Sequence, residues 1–192
     1  HKAGALFFVD GVHLTPHAAI SVKDIGADFF GFSFYKLMGP HCAALAASPA
    51  LLETLNNDKL LPATNVVPER FEFGTLPYEL MAGCIAAIDF IAEMAPGTGK
   101  TRREKIVNSM NALEKYEDEL MEYLESSVSA LPGVTLYGRA KHRTPTIYFS
   151  FAGHNSADIY KAMAAKKVNV PASNFYALEV SRKLGLGDAG AL

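Results

Sequence analysis

An α/β fold, a mixed sheet followed by a smaller α+β unit, is predicted for this chain by three observations. Short apolar runs at Ala5–Val9, Asp28–Ser33 and Cys42–Ser48 read as buried strands. Longer helical patterns follow the third run. The second half then changes character, passing from one long amphipathic helix to two strand signals and two short helices.

Taken in order, Ala5–Val9 ends at Asp10-Gly11, so a polar residue stands at the carboxyl end of the first strand. The interval before Asp28–Ser33 has room for a short helix. The interval before Cys42–Ser48 is too short for a crossover helix, which predicts antiparallel pairing or a loop for the third run. Ser48-Pro49 reads as a helix start, with Ser as N-cap and Pro in the first turn of a helix through Leu51, Leu52 and Leu55. Lys59–Glu69, with Pro62 and Pro68, reads as a loop. Pro77 opens a long helix through Glu93 whose apolar residues occupy most faces, so burial on most sides is expected. Pro96-Gly97-Thr98-Gly99 breaks it and is the candidate boundary between a domain at 1–96 and another at 97–192.

In the second half, Ile106, Met110, Leu113, Leu120, Leu124 and Val128 recur at helical spacing through Arg102–Ala130. Pro132-Gly133 turns the chain into a strand at Val134–Tyr137, and Thr146–Phe151 alternates as another. Asn155 or Ser156 caps a helix to Lys166. Val168–Val170 reads as a short strand, and Phe175–Leu184 as a last helix stopped by Gly185.

Composition bounds the function. Of 192 residues, 49% are hydrophobic and the net charge is −2, so a core is expected and neither a nucleic-acid nor a membrane surface is indicated. No apolar run approaches the roughly 20 residues of a spanning helix. The two cysteines, Cys42 and Cys84, read as buried thiols in a reducing, cytoplasmic setting, and no metal site is expected. The chain opens without Met and closes on Gly-Asp-Ala-Gly-Ala-Leu, and is expected to be part of a longer one. Gly97-Thr98-Gly99-Lys100-Thr101 invites a phosphate-loop reading, but Met94 stands where that motif needs Gly and no strand precedes it. The Glu-rich stretch Glu114–Glu125 reads as the exposed face of a helix.

Chemistry-bearing residues gather after the first two runs. Asp10 and His13 follow one; Ser33, Tyr35 and Lys36 follow the other. Ligands of open α/β sheets sit beyond the carboxyl ends of strands. A carboxylate, an imidazole, two hydroxyls and an amine meeting there form the set that pyridoxal 5'-phosphate (PLP) needs. An amine forms the Schiff base, a carboxylate keeps the pyridine nitrogen protonated, and donors hold the phosphate.

Val9-Asp10-Gly11-Val12-His13, followed by Asp28-Phe29-Phe30-Gly31-Phe32-Ser33-Phe34-Tyr35-Lys36-Leu37-Met38-Gly39-Pro40, resembles the class V aminotransferases of the cysteine-desulfurase-like group. Arg70-Phe71-Glu72-Phe73-Gly74-Thr75 resembles a second motif of that family, in the right order. The resemblance implies a PLP-dependent transferase of fold type I: part of the large mixed-sheet domain plus a truncated small α+β C-terminal domain. It implies that Lys36 forms the Schiff base and moves the substrate's α-proton. Asp10 pairs with the ring nitrogen and His13 reaches the ring hydroxyl. Ser33 and Tyr35 bind phosphate. Thr75 reaches the phosphate of a neighbouring subunit, which makes a homodimer part of the site. The substrate would be an amino acid.

The family's ring-stacking residue and its phosphate-cupping Gly-Thr turn would precede His1, and its carboxylate-binding Arg would follow Leu192. Cysteine desulfurases carry a nucleophilic Cys on a small-domain loop; the comparable stretch, Val170-Pro171-Ala172-Ser173-Asn174, has none. Transamination, β-elimination or C–S lysis needs no such thiol. True desulfuration remains an alternative, as does a non-catalytic relative that keeps the fold for binding or assembly.

Overall fold

The computed structural model describes residues 1–192 except Pro96, Thr98 and Arg139. The chain folds as two compact units, His1–Lys115 and Tyr116–Leu192. The linker assigned to Pro96-Gly97-Thr98-Gly99 falls partly outside the described residues.

The first unit is built on a three-stranded sheet of order β1-β2-β3, with β1 Phe8–Asp10, β2 Phe29–Ser33 and β3 Ala43–Ala47. β1 and β2 are parallel, in a register that sets Phe8 beside Phe29 and Asp10 beside Gly31. A short helix, α1 (Val22–Ile25), lies in the β1–β2 connection; the Ser21 side chain caps it and Gly26, at φ 73°, ends it. β3 returns antiparallel to β2, as the short interval predicted, with Ser33 beside Ala43. β1 starts three residues later than the apolar run suggests. Before it, the Phe7 carbonyl accepts the Asp28 and Phe29 amides.

Strand alternation sorts side chains between the two faces. Phe30 points to one face and is 2% exposed. Phe32, on the same face, packs against a cluster of Leu37, Ile91 and Met110. Phe8 and Phe29 stack on the other face, centroids 6.3 Å apart. There Phe8 and Leu45 are 57% and 58% exposed, so only one face is covered within this unit.

Helix α2 (Pro49–Thr54) starts where Ser48-Pro49 predicts, although the Ser48 hydroxyl makes no capping bond. Helix α3 (Tyr78–Glu93) buries Cys84, Ala87, Ile91 and Ala92. The expectation of burial on most faces is corrected here. Met81, Ile85 and Phe90 are exposed, because the unit supplies a partner for one side of the helix only. Helix α4 (Arg102–Ser129) begins at a capping box. The Glu104 carboxylate accepts the Lys100 and Thr101 amides at 2.6 and 3.0 Å, and Thr101 Oγ1 accepts the Glu104 amide at 3.2 Å. Bonds from the Thr101 amide, then the Lys100 amide, hold the Glu104 carboxyl below its usual range. The Lys100 and Thr101 amides are therefore engaged by a protein carboxylate.

The second unit holds the later part of α4. It also holds a hairpin of β4 (Val134–Tyr137) and β5 (Tyr148–Phe151), α5 (Ser156–Ala165) and α6 (Leu178–Lys183). Asn155 caps α5 by accepting the Ala157 amide at 2.8 Å. Two expectations are corrected. Val168–Val170 is not a strand; instead a single bridge joins Ser173 to Ala191. The last helix starts at Leu178 rather than Phe175, because Phe175 and Tyr176 sit at φ 51° and 64°, outside helical space. Gly185, at φ 78°, follows the helix as expected.

Gly11 sets how closely the chain leaves β1. A Cβ on it would lie 2.1 Å from the Phe30 ring. We expect Gly11→Ala to destabilise the protein by about 1–3 kcal/mol, measured by denaturant unfolding. Adding Phe30→Leu should recover part of the loss; no recovery would mean that the ring is not the obstacle.

Candidate active site

Because β1 and β2 run parallel, their carboxyl ends open at one edge. Asp10 is the last residue of β1, and its Oδ1 accepts the Val12 amide at 3.0 Å, which fixes the carboxylate at the strand end. Its register partner, Gly31, presents no side chain beside it. The Gly11 amide donates to the Gly31 carbonyl at 2.8 Å, extending the pairing one residue past the strand.

Ser33 ends β2 and leads directly into a 3-10 turn, Phe34–Lys36. The turn is closed by Phe34, whose carbonyl accepts the Leu37 and Gly39 amides at 2.8 Å each, and whose amide donates to the Cys42 carbonyl at 2.8 Å. Phe34 and Leu37 are buried, so they hold the turn down while Tyr35 and Lys36 stay exposed. The Tyr35 ring stacks on His41 at 5.3 Å, and Lys36 Nζ lies 5.9 Å from the Tyr35 centroid.

The His13 ring lies 5.2 Å from that of His17. Its pKa is lowered from the ordinary histidine value, first by desolvation, then by the charges of His17 and Lys36. Lys36 is thus close enough to be felt across the edge between the two strand ends. Asp10, His13, Ser33, Tyr35 and Lys36 come to this one edge.

Thr75 stands apart. It is exposed in the connection between a 3-10 turn, Glu69–Phe71, and α3. None of the described hydrogen bonds joins it to the Lys36 edge.

Sequence reasoning assigned Arg70 no role. Its guanidinium donates to the Leu52 and Leu55 carbonyls at the end of α2, to the Asn65 carbonyl and to Glu53. A cation at a helix carboxyl end meets free carbonyls and the negative pole of the dipole. The Arg70 carbonyl in turn accepts from Asn57 at 3.0 Å. Arg70 therefore pins the segment that leads to Gly74-Thr75. The sequence signal was its place at the head of the Arg-Phe-Glu-Phe-Gly-Thr motif.

Fold and site together define an α/β protein whose polar and titratable groups gather where parallel strands end. The chain belongs to the class V aminotransferase family, whose model matches residues 1–177. Its fold is fold type I of the PLP-dependent enzymes. An aminotransferase-like protein, FGM3, of Gibberella zeae is 31% identical over 98% of this chain and 46% of its own. A probable cysteine desulfurase of Mycolicibacterium paratuberculosis is 30% identical over 97% of this chain and 27% of its own. The crystal structure of the Escherichia coli cysteine desulfurase CsdA superposes with a TM-score of 0.79 at 23% identity, covering 100% of this chain and 48% of that one. The chain thus spans half or less of the length of the proteins it matches.

Two outcomes are expected. In the cofactor-free protein His13 titrates below the ordinary value of about 6.5 by NMR. Its folded-state pKa is the lower one, so the associated stability is present above the unfolded value and is lost as pH falls through it towards the folded value. Lys36→Met should raise the His13 midpoint; an unmoved midpoint would mean the two are not neighbours. Arg70→Ala should cost on the order of 1–3 kcal/mol in denaturant unfolding, because the half-buried Leu52 and Leu55 carbonyls lose a charged donor.

Proposed function

We propose that the full-length protein is a PLP-dependent enzyme that acts on an amino acid through Lys36. The observation that carries this reading is a primary amine, Lys36, and a carboxylate, Asp10, at the ends of paired parallel strands. The donor set fits the cofactor: an amine for its aldehyde, a carboxylate for its ring nitrogen, and hydroxyls for its phosphate. When bound, PLP supplies an aldehyde that an amine captures and a ring that takes up electrons from the substrate's α-carbon.

The remaining roles belong to the chain. Asp10, oriented by the Val12 amide, holds a proton on the ring nitrogen. His13, whose burial and cationic neighbours favour its uncharged form, would hydrogen-bond the ring hydroxyl. Ser33 and Tyr35 bind phosphate. Lys36 Nζ would anchor the cofactor and would be the base that takes the substrate's α-proton. Thr75 serves the neighbouring subunit of a homodimer, where its phosphate contact completes the partner site. Residues 1–96 act as the later part of the PLP-binding large domain and 97–192 as the small α+β domain, in a cytoplasmic enzyme.

Transamination, β-elimination or C–S lysis is favoured over persulfide chemistry. The chain's two cysteines are Cys42 and Cys84, and Val170–Asn174 contains none. The relatives named probable cysteine desulfurases keep desulfuration as the competing reaction, and sulfide and alanine release from cysteine distinguishes it.

Borohydride reduction of the PLP-loaded full-length protein, followed by peptide mapping, should place the label on Lys36. Lys36→Ala should abolish that label and lower turnover at least about 10²-fold. A label on another lysine would overturn the assignment. Unchanged cofactor binding with no turnover in either form would favour a non-catalytic relative.

A further inference from the structure

Two residues outside the Lys36 edge lie on facing surfaces. The connection after the Lys36 turn runs along α3 at very short range. A Cβ on Gly39 would lie 3.4 Å from the Ala87 Cβ, and one on Gly83 would lie 3.1 Å from the Pro40 ring. Small residues on both surfaces therefore let backbone approach helix. Cys42 follows two residues after Pro40, turned back by the hydrogen bond its amide donates to the Pro40 carbonyl at 2.7 Å. Cys84 follows Gly83. Both cysteines line one cavity of about 810 Å³.

The two thiols differ. Cys84 is buried, and Cys42 is half-buried, with its Sγ donating to the Ala43 carbonyl at 3.8 Å. The Cys84 pKa is pushed up, first by burial and then by the neighbouring Cys42 thiol as hydrogen-bond partner and charge. A reachable thiol beside a buried one is the arrangement in which the first is oxidised and the second resolves it.

We propose that Cys42 and Cys84 form a dithiol site that a hydroperoxide oxidises to an intramolecular disulfide, tethering the segment behind Lys36 to α3. The Cys42 thiolate attacks the peroxide oxygen; the O–O bond breaks, the alcohol or water leaves, and Cys42 becomes a sulfenic acid. Cys84 sulfur then attacks Cys42 sulfur, and hydroxide leaves with the Cys84 proton as water. Two thiols are oxidised and one peroxide is reduced. The Cys42 carbonyl accepts the Phe34 amide that helps close the Lys36 turn, so the link acts on the strap that holds the lysine.

The test treats full-length protein with hydrogen peroxide, alkylates remaining thiols, and maps the unreduced digest by mass spectrometry. The expected result is a Cys42–Cys84 peptide pair about 2 Da lighter than the sum of its parts. Dithiothreitol should release it, and Cys42→Ser should lack it. Alkylated Cys84 beside a sulfenic or sulfinic Cys42, a link from Cys42 to any other cysteine or to a second chain, or no oxidation at either residue would each overturn the proposal. The wild-type map decides the matter even where substitution of buried Cys84 harms folding.

Discussion

The parallel pairing of β1 with β2 is the constraint on which the site depends. Asp10 and Lys36 are far apart in sequence, and neither is buried deeply enough for packing to bring them together. The register does so: Asp10 lies beside Gly31, two residues before the end of β2, and the 3-10 turn that follows carries Lys36. A slip of one residue would send every side chain of a strand to its opposite face. That slip would expose Phe30, which is worth roughly 1.5–3 kcal/mol in its present buried place. Burial of one aromatic thus protects the placement of one carboxylate.

The remaining supports are local. Phe34 both anchors the Lys36 turn in the core and supplies its closing hydrogen bonds, so the lysine can be exposed without being loose. Gly11 and Gly39 matter for the space they leave, since a methyl group at either would meet the ring or backbone of a phenylalanine. Arg70 does comparable work at a distance, holding the carboxyl end of α2 and the start of the Gly74-Thr75 segment with one guanidinium.

Much of this was legible in the sequence, for physical reasons. Strand ends marked by Asp10 and by Ser33 are local signals, and the short interval before β3 leaves little choice but an antiparallel return. Gly185 as a stop and a helix start at Asn155 or Ser156 are legible because caps and stops are also local, and the structure gives the cap to Asn155. Long-range facts were not legible. The apolar composition of α3 suggested burial on most sides, yet burial is decided by what packs against the helix, and Ile85 and Phe90 have little. Val168–Val170 has strand-like residues but no strand to pair with. Phe175 and Tyr176 fit a helical pattern by composition and not by backbone, since the Ser173 and Asn174 side chains accept their amides. Cys42 and Cys84 share a cavity because distant parts of the chain approach closely, which no spacing rule encodes.

We propose that strand register sets the Asp10 carboxylate against a ring nitrogen while Lys36, in the turn after the next strand, holds the same cofactor. The most direct measurement is the nitrogen-15 chemical shift of ring-labelled PLP bound to the full-length protein, compared with Asp10→Asn. A protonated ring nitrogen that loses its proton in the variant is the result expected. A nitrogen that is unprotonated in the parent protein, or whose shift is indifferent to Asp10, would contradict it.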